Sequence, residues 1–279
     1  MKYQIVSAKA NEKFDVLPLI NHPEDFHGDT RVDCLVKFGG SFVSLIGKSE
    51  VKLPKDGVVI LEEHSTEAKQ LMDKINKLAQ QVISDAGKYD DVGFCREYFK
   101  LAKTGYRLLD KYKPVGLPVS LERAGLVTTR LALDLDKDAL IDNEVAVVTK
   151  RTHLLGEPET NLSATVQWRD LDKLSTINNQ EILLSDFVNP ASGASGLAFV
   201  LAAGELGIKP KTIHHRSVSC TRQGINFVRQ ELGKIGIDST FTSVGLGSEL
   251  NQLYYLTGSR AVADAGHLLR HFLPQWYKQ

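Results

Sequence analysis

Leu183-Leu184-Ser185-Asp186-Phe187-Val188-Asn189-Pro190-Ala191-Ser192-Gly193-Ala194-Ser195-Gly196 passes from an apolar run through a carboxylate into small, hydroxyl-bearing residues. Glu181 to Leu184 is short and apolar enough for a buried parallel strand, and Ala198 to Leu206 reads as a helix that Gly207 can end. The loop between them then lies at a strand's carboxyl end, where open parallel sheets place their ligands. A helix amino terminus at that point offers unpaired N–H groups and a favourable dipole to a phosphate. Ser192 and Ser195 add hydroxyl donors, and Gly193 lets the backbone approach closely. The stretch reads as a phosphate cradle in an α/β fold; the plain alternative is a strand-to-helix turn with a serine cap.

Working outward, short apolar runs alternate with helical stretches from Val115 onward: Val115 to Leu121, Val145 to Thr149, Glu181 to Ser185, Thr212 to Cys220 and Ser239 to Val244. That alternation predicts a mainly parallel sheet with flanking helices. Lys150 to Leu174 is polar, has no clean helical period and turns at Gly156-Glu157-Pro158, so it reads as a flap over a site. Before Lys113 the character differs. Arg31 to Ile46 alternates like a hairpin around Gly39-Gly40, and Val58 to Leu61 looks like another strand. Thr66 to Ala86 and Phe94 to Tyr112 read as amphipathic helices, with Leu71, Ile75, Leu78 and Val82 along one face of the first. The expected organisation is a small β-rich appendage over residues 1–65 and an α/β domain over 66–279 that includes its leading helices.

With 279 residues, 42% of them apolar, the chain can bury a large core without a covalent staple. Acidic and basic residues balance at 34 each, against a general nucleic-acid or membrane-surface binder, which would carry a basic excess. Cys34, Cys95 and Cys220 are odd in number and widely spaced, suggesting neither a disulfide framework nor a zinc knuckle. A reducing cytoplasm fits that usage, and no apolar segment reaches membrane-spanning length.

Several tempting motifs fail on spacing. Gly47-Lys48-Ser49 lacks the glycine five positions upstream that a nucleoside-triphosphate loop needs, since Phe42 stands there. Asp134, Asp136, Asp138 and Asp142 have calcium-loop spacing, but Ala139 and Val145 occupy the positions that require Gly and Glu. His267 and His271 lack the glutamate of a metalloprotease helix. His214 and His215 lie in one strand and face opposite ways, so they cannot share a ligand. No nucleophile elbow exists, which disfavours a serine hydrolase.

Three segments in order carry a family resemblance. Asp186 followed by Ser192-Gly193-Ala194-Ser195 resembles the phosphoribosyl pyrophosphate loop of the uracil phosphoribosyltransferases, Asp-Pro-Met-Leu-Ala-Thr-Gly-Gly-Ser, with one extra residue, Phe187 for Pro and Ala194 for the second Gly. Upstream, Val119-Ser120-Leu121-Glu122-Arg123-Ala124-Gly125-Leu126 is similar to the family's Val-Pro-Ile-Leu-Arg-Ala-Gly-Leu. Downstream, Tyr254-Tyr255-Leu256-Thr257-Gly258, then Asp264-Ala265-Gly266, resembles the family's terminal base-pocket motif, with Thr257 for Pro and three extra residues before Asp264. The resemblance covers residues 112–270.

It implies a type I phosphoribosyltransferase fold and transfer of ribose 5-phosphate from phosphoribosyl pyrophosphate to uracil or a related base, with release of pyrophosphate. By it, Ser192, Gly193, Ala194 and Ser195 hold the 5-phosphate and Asp186 the ribose hydroxyls. Arg123, Ala124 and Gly125 hold pyrophosphate, with Lys150 and Arg151 closing over it, and Mg²⁺ arrives with the substrate. Tyr255, Leu256, Gly258, Asp264 and Ala265 hold the base, and a homodimer or larger homo-oligomer is expected. Taken singly, Arg123 is also consistent with a surface arginine beside a turn, Asp186 with a capping acid and Asp264 with a turn former. The departures in all three motifs keep open a second class of function, a non-catalytic sensor of phosphoribosyl pyrophosphate or a nucleotide on the same fold.

Overall fold

Near-continuous apolar runs mark strands buried on both faces, and in this chain they assemble side by side. The computed structural model describes residues 7–8, 35–38, 41–44, 56–84, 91–112, 115–121, 124–133, 141–154, 161–168, 171–188, 190 and 193–246. In chain order the elements are β1 (Ser7–Ala8), β2 (Leu35–Phe38), β3 (Ser41–Ser44), β4 (Val58–Ile60), α1 (Thr66–Ser84) and α2 (Asp91–Leu109). Then follow β5 (Leu117–Leu121), α3 (Ala124–Ala132), β6 (Val145–Leu154), β7 (Asn161–Trp168), β8 (Glu181–Val188), α4 (Ala194–Glu205), β9 (Thr212–Cys220), α5 (Arg222–Lys234) and β10 (Asp238–Leu246). Short 3₁₀ helices occupy Leu61–Glu63 and Leu171–Ile177.

Eight strands form one sheet in the order β1-β7-β6-β5-β8-β9-β10-β4. The six from β6 to β4 are all parallel, whereas β7 runs antiparallel to β6. The fold is therefore α/β, with a mainly parallel sheet and flanking helices. β2 and β3 form a separate antiparallel pair, from Leu35↔Ser44 to Phe38↔Ser41, as the alternation there predicts.

After β5 the chain adds β6 on one side, and then β8, β9 and β10 in turn on the other. Right-handed crossovers in opposite directions place their helices on opposite faces. The packing agrees: α1, α2 and α3 touch in series, with α3 on β5 and β8 and α2 on β9 and β10, while α4 touches α5. α1 buries Leu71, Met72, Ile75 and Leu78, and α2 buries Tyr98, Ala102, Tyr106 and Leu109. α4 is apolar nearly all round, and Leu197, Ala198, Phe199, Val200, Ala202 and Ala203 are all buried.

Three expectations are corrected. Val58–Ile60, assigned from sequence to the appendage, is an edge strand of the large sheet through Phe241↔Val58 and Ser243↔Ile60, so the sheet draws on the chain before residue 66. The segment after Thr149, read as a flap, contains an antiparallel strand pair that the sequence did not predict. β6 continues to Leu154 and pairs with β7 from Val147↔Trp168 to Leu154↔Asn161, because cross-strand bonds support a polar strand that has no apolar pattern. Finally, α4 starts at Ala194, four residues before the apolar run that predicted it. Among the described residues, no helix is long and apolar enough to cross a membrane.

Candidate functional site

The strand order reverses between β5 and β8, and open α/β sheets bind ligands outside the carboxyl ends of the strands at such a point. The β5–β8 ladder runs only from Leu117↔Ile182 to Val119↔Leu184. β5 goes on pairing with β6 through Leu121, and β8 goes on pairing with β9 through Val188. Beyond Val119 and Leu184 the two central strands are no longer ladder partners, although each stays in the sheet through its outer neighbour, to Leu121 and to Val188.

Asp186 lies on β8 past the end of that ladder and is half-buried. Its Oδ1 accepts a hydrogen bond from the Phe187 N–H at 2.7 Å, so the carboxylate folds back on its own strand. Phe187 is buried and meets the Tyr98 ring, with centroids 5.2 Å apart. The Ser185 carbonyl accepts from Thr128 Oγ1 of α3 at 2.8 Å, and the Asp186 carbonyl from the Tyr106 hydroxyl of α2 at 2.9 Å. Burial, with the Asp186 carboxylate adding to it, raises the Tyr106 phenol well above its ordinary range. Tyr106 is therefore a hydrogen-bond donor throughout the physiological range.

Gly193 caps α4 in the left-handed region, φ 77° and ψ −1°, and its carbonyl accepts from Leu197 N at 3.0 Å. A glycine cap brings no side chain to occupy the first-turn N–H groups. α5 contrasts with this, because its cap Thr221 accepts the Gly224 N–H on its hydroxyl at 2.7 Å. The two loops are tied together by Thr221 N donating to Pro190 O at 3.0 Å. Ser195 is half-buried in the first turn of α4, and Ala194 opens that turn rather than the preceding loop.

On the β5 side, Ala124 and Gly125 are the first residues of α3, again helical rather than part of a turn. Gly125 is buried, and a Cβ there would lie 3.4 Å from the Ser120 carbonyl carbon. α3 is anchored by a buried polar network. Arg130 pairs bidentately with Glu144 at 2.8 and 2.7 Å, Ser120 donates to the same carboxylate, and the Ser120 and Thr129 hydroxyls lie 2.7 Å apart.

Lys150 and Arg151 sit in β6 opposite Thr165 and Ala164. The last residue of β5 is in register with Val147, so at a strand rise of about 3.3 Å per residue Lys150 lies about 10 Å farther out along β6. The β6–β7 hairpin thus projects past the edge from which the candidate loops emerge. Arg123, Ser192, Tyr255, Leu256, Gly258, Asp264 and Ala265 lie outside the described residues.

The structure brings Asp186, Gly193, Ser195 and the start of α3 to the two strands flanking the reversal. Tyr106 and Thr128 were not read from the sequence as site residues. Their only signal is a hydroxyl on the inward side of a helix, as at Tyr106 between Ala102 and Leu109. His214 and His215 do part company: His214 meets Thr240 Oγ1 at 2.8 Å and Glu181 at 3.4 Å, while His215 stacks on Phe241 at 4.6 Å. Among the described residues, no group of three or more His, Cys, Asp or Glu side chains could hold a metal ion. No family model matches the chain, and no curated protein matches it.

Proposed function

We propose that this protein is a type I phosphoribosyltransferase that moves ribose 5-phosphate from phosphoribosyl pyrophosphate to a nitrogen of uracil or a related base. The observation that carries this reading is the position of Asp186 and the glycine-capped start of α4 beside the strand-order reversal, with the start of α3 across from them. A phosphate fits the N–H groups at the start of α4, where Gly193 supplies no side-chain cap, and a carboxylate one strand-end away fits ribose hydroxyls.

In the reaction the C1–O bond to pyrophosphate breaks with its electrons leaving on oxygen, and a bond forms between C1 and the base nitrogen. The nitrogen's proton passes to solvent or to the departing pyrophosphate. Positive charge develops on the ribose meanwhile, so the demand on the protein is alignment and charge stabilisation rather than a nucleophile. Asp186 would orient the ribose, Gly193 to Ser195 the 5-phosphate, and Arg123 to Gly125 with Lys150 and Arg151 the pyrophosphate. Magnesium bound to the substrate would neutralise charge on the leaving group.

Calorimetric titration of phosphoribosyl pyrophosphate with magnesium into wild type and Asp186→Ala tests the reading. Saturable binding that the substitution abolishes, with an unchanged circular dichroism spectrum, is the expected result. A wild type that binds nothing overturns it. Binding without pyrophosphate release across a panel of bases would instead favour the sensor, the reading that Ala194 at a family glycine position and the extra loop residue support.

A further inference from the structure

We propose that Tyr106 and Thr128 are positioning residues for the Asp186 carboxylate, holding the β8 backbone on either side of it where β5 has left the ladder. The inference rests on the phosphoribosyl-transfer reading, since it concerns what Asp186 is held for.

An interior strand of a parallel sheet normally has its carbonyls taken by the N–H groups of two neighbours, and a buried carbonyl without a donor is costly. β8 has β9 on one side throughout, but its pairing with β5 ends at Val119↔Leu184. Successive carbonyls of a strand face opposite edges, so only one of the next two faces the side that β5 has left; the Ser185 carbonyl receives the Thr128 hydroxyl of α3 at 2.8 Å and the Asp186 carbonyl the Tyr106 hydroxyl of α2 at 2.9 Å. The Tyr106 hydroxyl also lies 3.4 Å from the Arg216 carbonyl on β9, so it spans the β8–β9 seam. Both residues are buried, and Tyr106 is only 1% exposed.

These bonds bracket one residue. Phe187 N is already taken by the Asp186 side chain at 2.7 Å, so the peptide groups before and after Asp186 are both fixed, and with them the direction of its Cα–Cβ bond. A phenylalanine at 106 or a valine at 128 would fill the same space in the core without demanding a polar partner. The Thr128 hydroxyl also lies 3.2 Å from the Gly125 carbonyl of its own helix, but its shorter contact, at 2.8 Å, is the one to β8. A carboxylate that reads two ribose hydroxyls tolerates little displacement, because small misplacements at a reacting centre cost rate steeply.

The test compares ribose 5-phosphate with 2,3-dideoxyribose 5-phosphate, which lacks the hydroxyls assigned to Asp186, by titration into full-length wild type, Tyr106→Phe, Thr128→Val and Thr128→Ser. Wild type should prefer the hydroxylated ligand. Tyr106→Phe and Thr128→Val should each weaken ribose 5-phosphate by about tenfold, the scale of one lost charge-assisted hydrogen bond, and leave the dideoxy ligand unchanged. Thr128→Ser, which keeps the hydroxyl, should restore the preference. Equal weakening of both ligands would reveal a merely structural role and overturn the inference, as would no change in either. A wild type that binds neither ligand would overturn the phosphoribosyl reading itself. Should Tyr106→Phe fail to fold, the Thr128 pair decides alone.

Discussion

Gly193 holds a backbone conformation that residues with a Cβ rarely adopt, and a Cβ there would collide with the Val228 side chain of α5. Strain in the left-handed region and overpacking each cost about 1–3 kcal/mol. Gly193→Ala should accordingly lower unfolding stability by at least about 1 kcal/mol, read as a shift of the urea midpoint. If α4's first turn binds a phosphate, the same substitution should weaken that binding further than the stability loss explains. An unchanged midpoint would mean that α4 and α5 are not packed as described. Gly193 before a helix was legible in the sequence from its local signature, whereas Asp186, read as loop, lies within β8, which runs on to Val188 past the end of the apolar run. Tyr106 and Thr128 were not legible, because they meet β8 across 80 and 57 residues of chain and sit on helix faces that read as ordinary core.

The strands themselves were read well, since burial on both faces demands an apolar run wherever the strand falls. β5, β8, β9 and β10 lie within a few residues of the runs that predicted them. What such runs do not contain is the partner: Val58–Ile60 reads as a strand, yet its pairing with β10 depends on residues about 180 positions later. A deletion separates the two aspects. Removing residues 1–55 leaves β4, whereas removing 1–63 also takes the buried Ile60 and Leu61 and the Glu62 carboxylate that accepts the Leu246 N–H at 2.6 Å. At about 1.5–3 kcal/mol per buried aliphatic side chain, the longer deletion should be less stable than the shorter by at least about 3 kcal/mol. Equal stability would place β4 outside the cooperative core. The anchorage of α3 makes a second prediction at this scale. Arg130→Met alone strands the buried Glu144 and should cost about 3–5 kcal/mol, while Arg130→Met with Glu144→Met should recover most of that loss. Equal losses in chemical denaturation would show that Glu144 is not desolvated.

Across the whole molecule, stability should depend on pH through the buried His215 and the half-buried Glu62, which pull in opposite directions. Burial, helped by neighbouring His214, holds His215 at about 3, far below its ordinary 6.5. Between those values the unfolded chain binds a proton that the folded protein refuses, so His215 costs stability as pH falls from 6.5 towards 3. Glu62 behaves oppositely. Burial raises its carboxyl above the ordinary 4.5, against the opposing Leu246 N–H bond, so from 4.5 up to its folded value the folded protein keeps a proton that the unfolded chain releases. Stability contributed by Glu62 is therefore present at low pH and lost as pH rises through that window. His215→Phe keeps an aromatic ring against Phe241 and removes the titration, while Glu62→Gln keeps an oxygen acceptor for Leu246 and removes the other. Urea midpoints measured from pH 4 to pH 8 should show the difference between wild type and His215→Phe growing in favour of the variant as pH falls below 6.5. The difference for Glu62→Gln should grow in favour of the variant as pH rises above 4.5. A His215→Phe difference that is flat with pH would mean the imidazole reaches solvent, against its stacking on Phe241 and its place beside Gly196 of α4.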